Sequence, residues 1–150
     1  MQPEEFISWL RPVMVKKSLG IPISFMLAQA ALESSWGKSE LATRANNLFG
    51  VKADDSWKGA TWDCETLEYV DGKPVKVVAK WRLYSGVLES MKDHVKFLRE
   101  NPRYAEAFKH PDGQGFARAI ARAGYATDPK YADKLCFLIR HYKLEQYDNF

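Results

Sequence analysis

The chain is 150 residues long, 46% hydrophobic and 27% charged, with a formal net charge of +3. That length supports one domain with a core of its own, needing neither metal nor disulfide, and the composition excludes a disordered or fibrous chain. The mild positive charge suits an anionic polymer but lacks the dense basic run that grips nucleic acid, and no stretch reaches the roughly 18 apolar residues of a membrane span.

At the N-terminus, MQPEEFISWL has no basic start followed by an apolar run, so no secretory signal is read there. PEEFISWLRPVMVKKSLG predicts a first helix with Pro3 and acids at its start, Lys16, Lys17 and Gly20 at its end, and a bend or break at Pro12. A second helix follows Pro22 and Ser24. On it Phe25, Ala28, Leu32 and Trp36 recur at spacings of three and four, and Gly37 is the expected stop. KSELATRA reads as a short helix and NNLFG as a tight loop.

From residue 60 the period changes from helical to alternating. TWDCETLEYVDGKPVKVVAKWRLY reads as two strands about an Asp71-Gly72 turn, a hairpin inserted into a helical protein. Helices return with SGVLESMKDHVKFLREN, a short one after Pro102, and another through GQGFARAIARAG. The last is expected from TDPKYADKLCFLIRHYKLEQ, capped by Thr127 or Asp128 with Pro129 in its first turn. Cys64 and Cys136, one on a strand and one on a helix, have no metal or redox spacing and are expected to be separate thiols.

Glu33 is the anomaly of the second helix, a carboxylate among alanines just before a tryptophan and a glycine. It follows Gln29 by four residues and precedes Trp36 by three, so the three side chains share a surface. The negative end of the helix dipole and the apolar neighbours both disfavour its charge and are expected to raise its pKa. A carboxyl group kept protonated near neutral pH can serve as a general acid. On this stretch alone a solvated surface glutamate remains an equally open reading.

A second carboxylate narrows the choice, because glycosidic hydrolysis commonly uses two carboxyl groups flanking the scissile bond. On the first strand Trp62, Cys64, Thr66 and Glu68 share one face, and Asp63, Glu65, Leu67 and Tyr69 the other. Glu68 would then face Glu33 across a cleft between helices and hairpin, although hairpin edges are also charged merely to avoid aggregation. Aromatic residues, 13% of the chain, offer flat faces on which sugar rings stack. Tyr125 stands out among them because AGYATDP is a turn between helices rather than a packed face.

LAQAALESSWGKSELA, NNLFGVKA, SWKG, TLEYVDGK, KWRLYSG, NPRYAEAF and AGYATDPKYADKL, in this order, resemble the motifs of glycoside hydrolase family seventy-three over residues 20 to 143. The resemblance implies a lysozyme-like α+β fold in one domain spanning residues 1–150, a mostly helical lobe with an inserted β-hairpin lobe flanking the active-site cleft. It implies cleavage of peptidoglycan glycan strands by an endo-β-N-acetylglucosaminidase, at the bond between N-acetylglucosamine and N-acetylmuramic acid. Carried over residue by residue, Glu33 in ALESSWG matches the general acid, Glu68 in TLEY the base that activates water, and Tyr125 in GYATDP the tyrosine that orients substrate. Asn47 and Phe49 in NNLFG match positions shaping the cleft floor, with a structural role equally open. Trp62 and Tyr104 are the further aromatics expected against substrate, whereas Trp36 is expected to pack beneath the acid. Cys64 departs from the pattern, standing where an aliphatic residue would be ordinary.

The resemblance also sets expectations about partners. The substrate is the peptidoglycan strand, no metal or cofactor is called for, and a monomer that meets no nucleic acid and inserts in no membrane is expected. The wall-, membrane- or rod-binding region that usually accompanies such a domain is not seen in this sequence. An excised domain, a phage lysis enzyme or an antibacterial effector sent through a secretion machine would each bring it to the periplasm or wall, the last with a neutralising immunity or delivery protein. The rival readings are a muramidase or lytic transglycosylase on the same fold, and a wall-binding module without turnover. Whether Glu68 activates the water directly or the substrate's own acetamido group attacks first turns on the carboxylate separation: about 6.5 to 9.5 Å leaves room for a water and favours inversion, and about 5 to 5.5 Å suits a nucleophilic carboxylate.

Overall fold

The computed structural model describes residues 1–17 and 20–148. Ser18 and Leu19, just before the expected stop at Gly20, lie outside the described residues. Helix α1, Pro3–Lys17, places Glu4 and Glu5 in its first turn, where the helix dipole favours acids. It runs unbroken through Pro12, contrary to the expected interruption. The carbonyl that Pro12 leaves without a donor belongs to Ser8, and both residues are exposed, on the solvent side of the helix.

Helix α2, Ile23–Ser34, is the hub of the helical lobe: all its residues except Leu32 and Glu33 are buried. The chain leaves it earlier than the expected stop at Gly37. Ser35, Trp36 and Gly37 take φ values of 51°, 58° and 80° in succession, a left-handed reversal. The Ser34 hydroxyl holds that reversal by accepting from Gly37 N at 2.9 Å while donating to the Ala30 carbonyl at 2.5 Å. Helix α3, Glu40–Ala45, is capped by Ser39, whose side chain accepts from Ala42 N.

Strands β1, Thr61–Val70, and β2, Lys73–Arg82, form an antiparallel hairpin in which Trp62 faces Trp81 and Glu68 faces Val75. Asp71 and Gly72 both have positive φ, 52° and 77°, as a two-residue primed turn requires. An isolated bridge between Lys52 and Trp81 adds the stub of a third strand at the root. The root is fastened twice. Trp81 packs with Leu41 and Ala45 of α3 in a small second core, and the buried Arg82 guanidinium donates to the Lys52 carbonyl and to Asp93 at 2.8 Å. Further out the hairpin stands in solvent, with Leu67, Val70, Val75 and Val78 exposed.

Helix α4, Val87–Glu100, leads into a 3₁₀ segment, Pro102–Lys109, and then α5, Gly113–Arg122, capped by Asp112. Helix α6, Tyr131–His141, begins later than expected. The Asp128 carboxylate accepts from Lys130 N at 2.9 Å and pairs with Lys134, so 128–130 form a turn outside the helix instead of its first turn. Lys143, with φ 53°, separates α6 from a final 3₁₀ segment, Leu144–Tyr147, where one continuous helix was expected. The main core is made by α1, α2, α4, α5 and α6, with Phe25 against Phe116 at its centre. Both cysteines are free thiols, Cys136 buried and Cys64 half-buried. No helix among the described residues is long and apolar enough to cross a membrane.

Candidate active site

A groove of about 500 Å³ separates the helical lobe from the hairpin, and Glu33, Glu68, Tyr104, Tyr125 and Tyr131 all line it. Glu33 reaches it because it is one of only two residues of α2 not turned wholly inward. Its Oε1 accepts a hydrogen bond from the Tyr131 hydroxyl at 2.8 Å. Its Oε2 lies over Gly50, close enough that a Cβ there would approach to 3.2 Å. Burial pushes the Glu33 carboxyl up to about 7. The Tyr131 bond pulls against this, and the charge of Glu68 adds to it. A carboxyl group so placed can still hold its proton near neutral pH.

Glu68 reaches the opposite wall from β1. Lys52 Nζ ion-pairs with its Oε1 at 2.7 Å, and the Thr127 hydroxyl lies 3.4 Å from its Oε2. The same hydroxyl accepts from Tyr69 N at 2.7 Å, joining the hairpin to the loop between α5 and α6. Lys134 sits above the Tyr69 ring and reinforces the contact.

Tyr125 lies on that loop, yet it is packed, contrary to the expectation of a free turn. Its ring stacks on Tyr131 with centroids 5.7 Å apart and touches Tyr104 at 5.9 Å, and its hydroxyl donates to the Phe49 carbonyl at 3.1 Å. Burial and the nearby Glu33 hold its phenol well above the usual range, so it remains protonated. Tyr104, itself buried, lines the same groove with the Arg103 guanidinium over its ring.

Three residues expected against substrate stand off the groove. Trp62 packs into the small core with Trp81, on the covered face of the hairpin. Asn47 is buried, its amide donating to the Val51 and Arg82 carbonyls at 2.9 and 2.8 Å, which ties the NNLFG loop to the hairpin root. The Phe49 side chain is fully buried and stacks on His94 at 4.1 Å, so only its backbone carbonyl serves the site. Among the described residues no group of His, Cys, Asp and Glu is arranged to hold a metal ion.

Residues 13–144 match the family described as mannosyl-glycoprotein endo-β-N-acetylglucosaminidase. The chain belongs to the Glucosaminidase family. Its relatives include the peptidoglycan hydrolase FlgJ of Vibrio parahaemolyticus, 47% identical over 89% of this chain and 45% of the relative. The exo-glucosaminidase LytG of Bacillus subtilis is 44% identical over 83% of this chain and 45% of that protein. The chain thus spans less than half the length of these two. A crystal structure of a peptidoglycan hydrolase mutant from Sphingomonas sp. A1 superposes with a TM-score of 0.82 at 38% identity, covering 95% of this chain and 96% of that one. These likenesses establish the lysozyme-like α+β fold.

For this glucosaminidase-family domain, the residues that surround the two carboxylates were only partly visible in sequence. Gln29 was marked by its helical spacing from Glu33. Tyr131, Lys52, Thr127 and His94 carried no local signal, because each acts through a partner distant in the chain. Gly50 could have been found, since its φ of +65° is a conformation that glycine tolerates best. Gly50→Ala is expected to lose about 1–2 kcal/mol from that φ alone and to lower kcat at least tenfold by crowding Glu33 Oε2. Chemical denaturation and turnover measured on the same preparation check both.

Proposed function

We propose that this domain is a peptidoglycan hydrolase that cleaves the β-1,4 bond between N-acetylglucosamine and N-acetylmuramic acid by general acid/base catalysis. The observation that carries the reading is one carboxyl group with its pKa raised to about 7, sharing a groove of about 500 Å³ with an ion-paired carboxylate from the hairpin. Glu33 protonates the glycosidic oxygen as the bond to the anomeric carbon breaks. Glu68, kept in place by Lys52, takes a proton from the water that attacks from the other side. Tyr125 and Tyr104 supply the walls against which a pyranose ring rests. The family description supports the choice of bond and the endo mode, the exo-glucosaminidase LytG being the relative that departs from that mode, and the wall is the place of action. If the chain serves as an exported toxin, a neutralising partner would work by filling this groove.

The test is digestion of purified peptidoglycan followed by identification of the sugar at the new reducing end. Reducing N-acetylglucosamine is expected. Reducing N-acetylmuramic acid would mean a muramidase, and an anhydro sugar that persists in Glu68→Ala would mean a lytic transglycosylase. An intact wall would leave only glycan binding.

A further inference from the structure

Behind Glu33 runs a chain of buried polar groups drawn from three helices. The Tyr131 hydroxyl touches Glu33 Oε1 at 2.8 Å, Gln29 Nε2 touches the Tyr131 hydroxyl at 2.9 Å, and His94 Nε2 touches Gln29 Oε1 at 2.6 Å. Gln29 and His94 are fully buried and Tyr131 nearly so. Beyond His94 the chain stops, because its Nδ1 is buried with no hydrogen-bond partner among the described residues. Aromatic rings surround it, Phe49 stacked at 4.1 Å, Phe97 at 6.3 Å and Tyr125 edge-on at 6.0 Å.

We propose that His94 and Gln29 are positioning residues that fix the direction of this hydrogen-bond chain, so that the acidic proton of Glu33 sits on Oε2, the oxygen over Gly50, rather than on Oε1. The proposal rests on the reading of Glu33 as the acid.

Two directions are geometrically available. In the first, His94 Nε2–H donates to Gln29 Oε1, Gln29 Nε2–H donates to the Tyr131 oxygen, and Tyr131 O–H donates to Glu33 Oε1. Oε1 is then an acceptor, and the acid proton is left on Oε2, free to be delivered. In the second, every bond reverses: Glu33 carries its proton on Oε1, donates it to Tyr131, and Gln29 turns its amide to donate to a bare His94 Nε2. A neutral imidazole with bare Nε2 must carry its hydrogen on Nδ1. That hydrogen would be a buried donor without an acceptor, whereas the first direction leaves only an unpaired lone pair, the cheaper defect. The partnerless Nδ1 therefore selects the first direction. Protonating both nitrogens would also orphan a donor, and burial holds the imidazole neutral by pushing its pKa down to about 3. The direction thus stays fixed over the pH range in which Glu33 works, and each donor in the row strengthens the next.

The charged and titratable groups that share the groove with Glu33 are Lys52 and Asp54 before the hairpin, Glu68 and Tyr69 on it, Arg103 and Tyr104 of the 3₁₀ segment, Tyr125 and Asp128 of the α5–α6 loop, and Tyr131 and Lys134 of α6. Changing His94 alters none of their charges, so a shifted pH profile in such a variant reports on the chain.

Long-range ¹H–¹⁵N spectra of the wild-type domain, with His94 assigned by its loss in His94→Asn, test the direction without any assay of turnover. The neutral Nε2–H tautomer is expected throughout pH 5 to 8, and an Nδ1–H tautomer would overturn the proposal. In His94→Asn, whose amide can donate or accept, kcat on soluble glycan fragments is expected to fall about tenfold with KM unchanged. The alkaline limb of the kcat profile is expected to move upward, as Glu33 loses a steady donor. Should that variant fold poorly, Gln29→Met breaks the same chain from the other side with the same expected split. A wild-type kcat and limb in the folded variants would overturn the proposal. Failure of the underlying reading looks different, because Glu33→Gln would then still turn over while the tautomer stayed as described.

Discussion

Glu33→Gln is expected to lose about 10²- to 10⁴-fold in turnover, the usual contribution of a general acid, while melting higher than wild type above pH 7. The amide keeps the shape of the carboxyl and still accepts the Tyr131 hydrogen bond through its oxygen, so the loss is one of chemistry. The gain comes from removing a charge that the fold disfavours. Folding lifts the Glu33 carboxyl from 4.5 to about 7, so between these values the folded chain holds a proton that the unfolded chain has released. Stability therefore falls as pH rises through this window, and above it the ionised group costs about 3 kcal/mol. The variant should recover most of that at pH 8 and nothing at pH 4. Thermal melts at the two pH values, with turnover at pH 6, check the claim. Equal melting of the two proteins at pH 8 would show that Glu33 is well solvated.

His94 has the opposite linkage. Its pKa falls on folding from 6.5 to about 3, so acid favours the unfolded chain from pH 6.5 downward. Between about 4.5 and 6.5 the two slopes cancel in wild type. In Glu33→Gln the histidine slope is no longer offset by Glu33, so its stability should drop more steeply on acidification than that of wild type.

The second large effect is on stability alone. Trp36→Ala is expected to cost about 3 kcal/mol, near the low end for a tryptophan because the ring is only partly buried. The ring meets Phe6 edge-on at 5.6 Å and Tyr142 at 5.0 Å, pinning the left-handed turn after α2 against α1 and the end of α6. Alanine gains nothing in exchange, since it tolerates φ of 58° no better than tryptophan. A fall in melting temperature of roughly 6–12 °C is expected for a domain of this size, with kcat of the folded fraction within a few-fold of wild type. A large loss of kcat with unchanged melting would instead place Trp36 among the substrate contacts.

Where local chemistry decides the backbone, the sequence was readable. Asp71-Gly72 announces its turn because both residues accept positive φ, and the alternation on either side places Trp62 and Glu68 on one face of the hairpin. Glu33 was visible as a carboxylate out of place among alanines. What escaped depends on distant partners. Pro12 does not split α1 because it sits on the exposed side of the helix, as does Ser8, whose carbonyl it leaves without a donor, and α6 starts late because Asp128 is engaged with Lys130 N and Lys134. Trp62 reads as a sugar platform until the position of α3 shows that its face is covered. Tyr131 lies 98 residues from Glu33, and His94 lies 65 from Gln29, so no periodicity could pair them.

The hairpin is rooted at one end and merely touching at the other. Its base is locked by Arg82 and Trp81, while further out it meets the α5–α6 loop through the Tyr69 N–H and Glu68 at the Thr127 hydroxyl, with Lys134 over the Tyr69 ring. A hydrogen bond of this kind is worth about 1 kcal/mol net. While that contact holds, hairpin and loop are joined across one end of the groove, and without it the hairpin would be held to the helical lobe at its root alone.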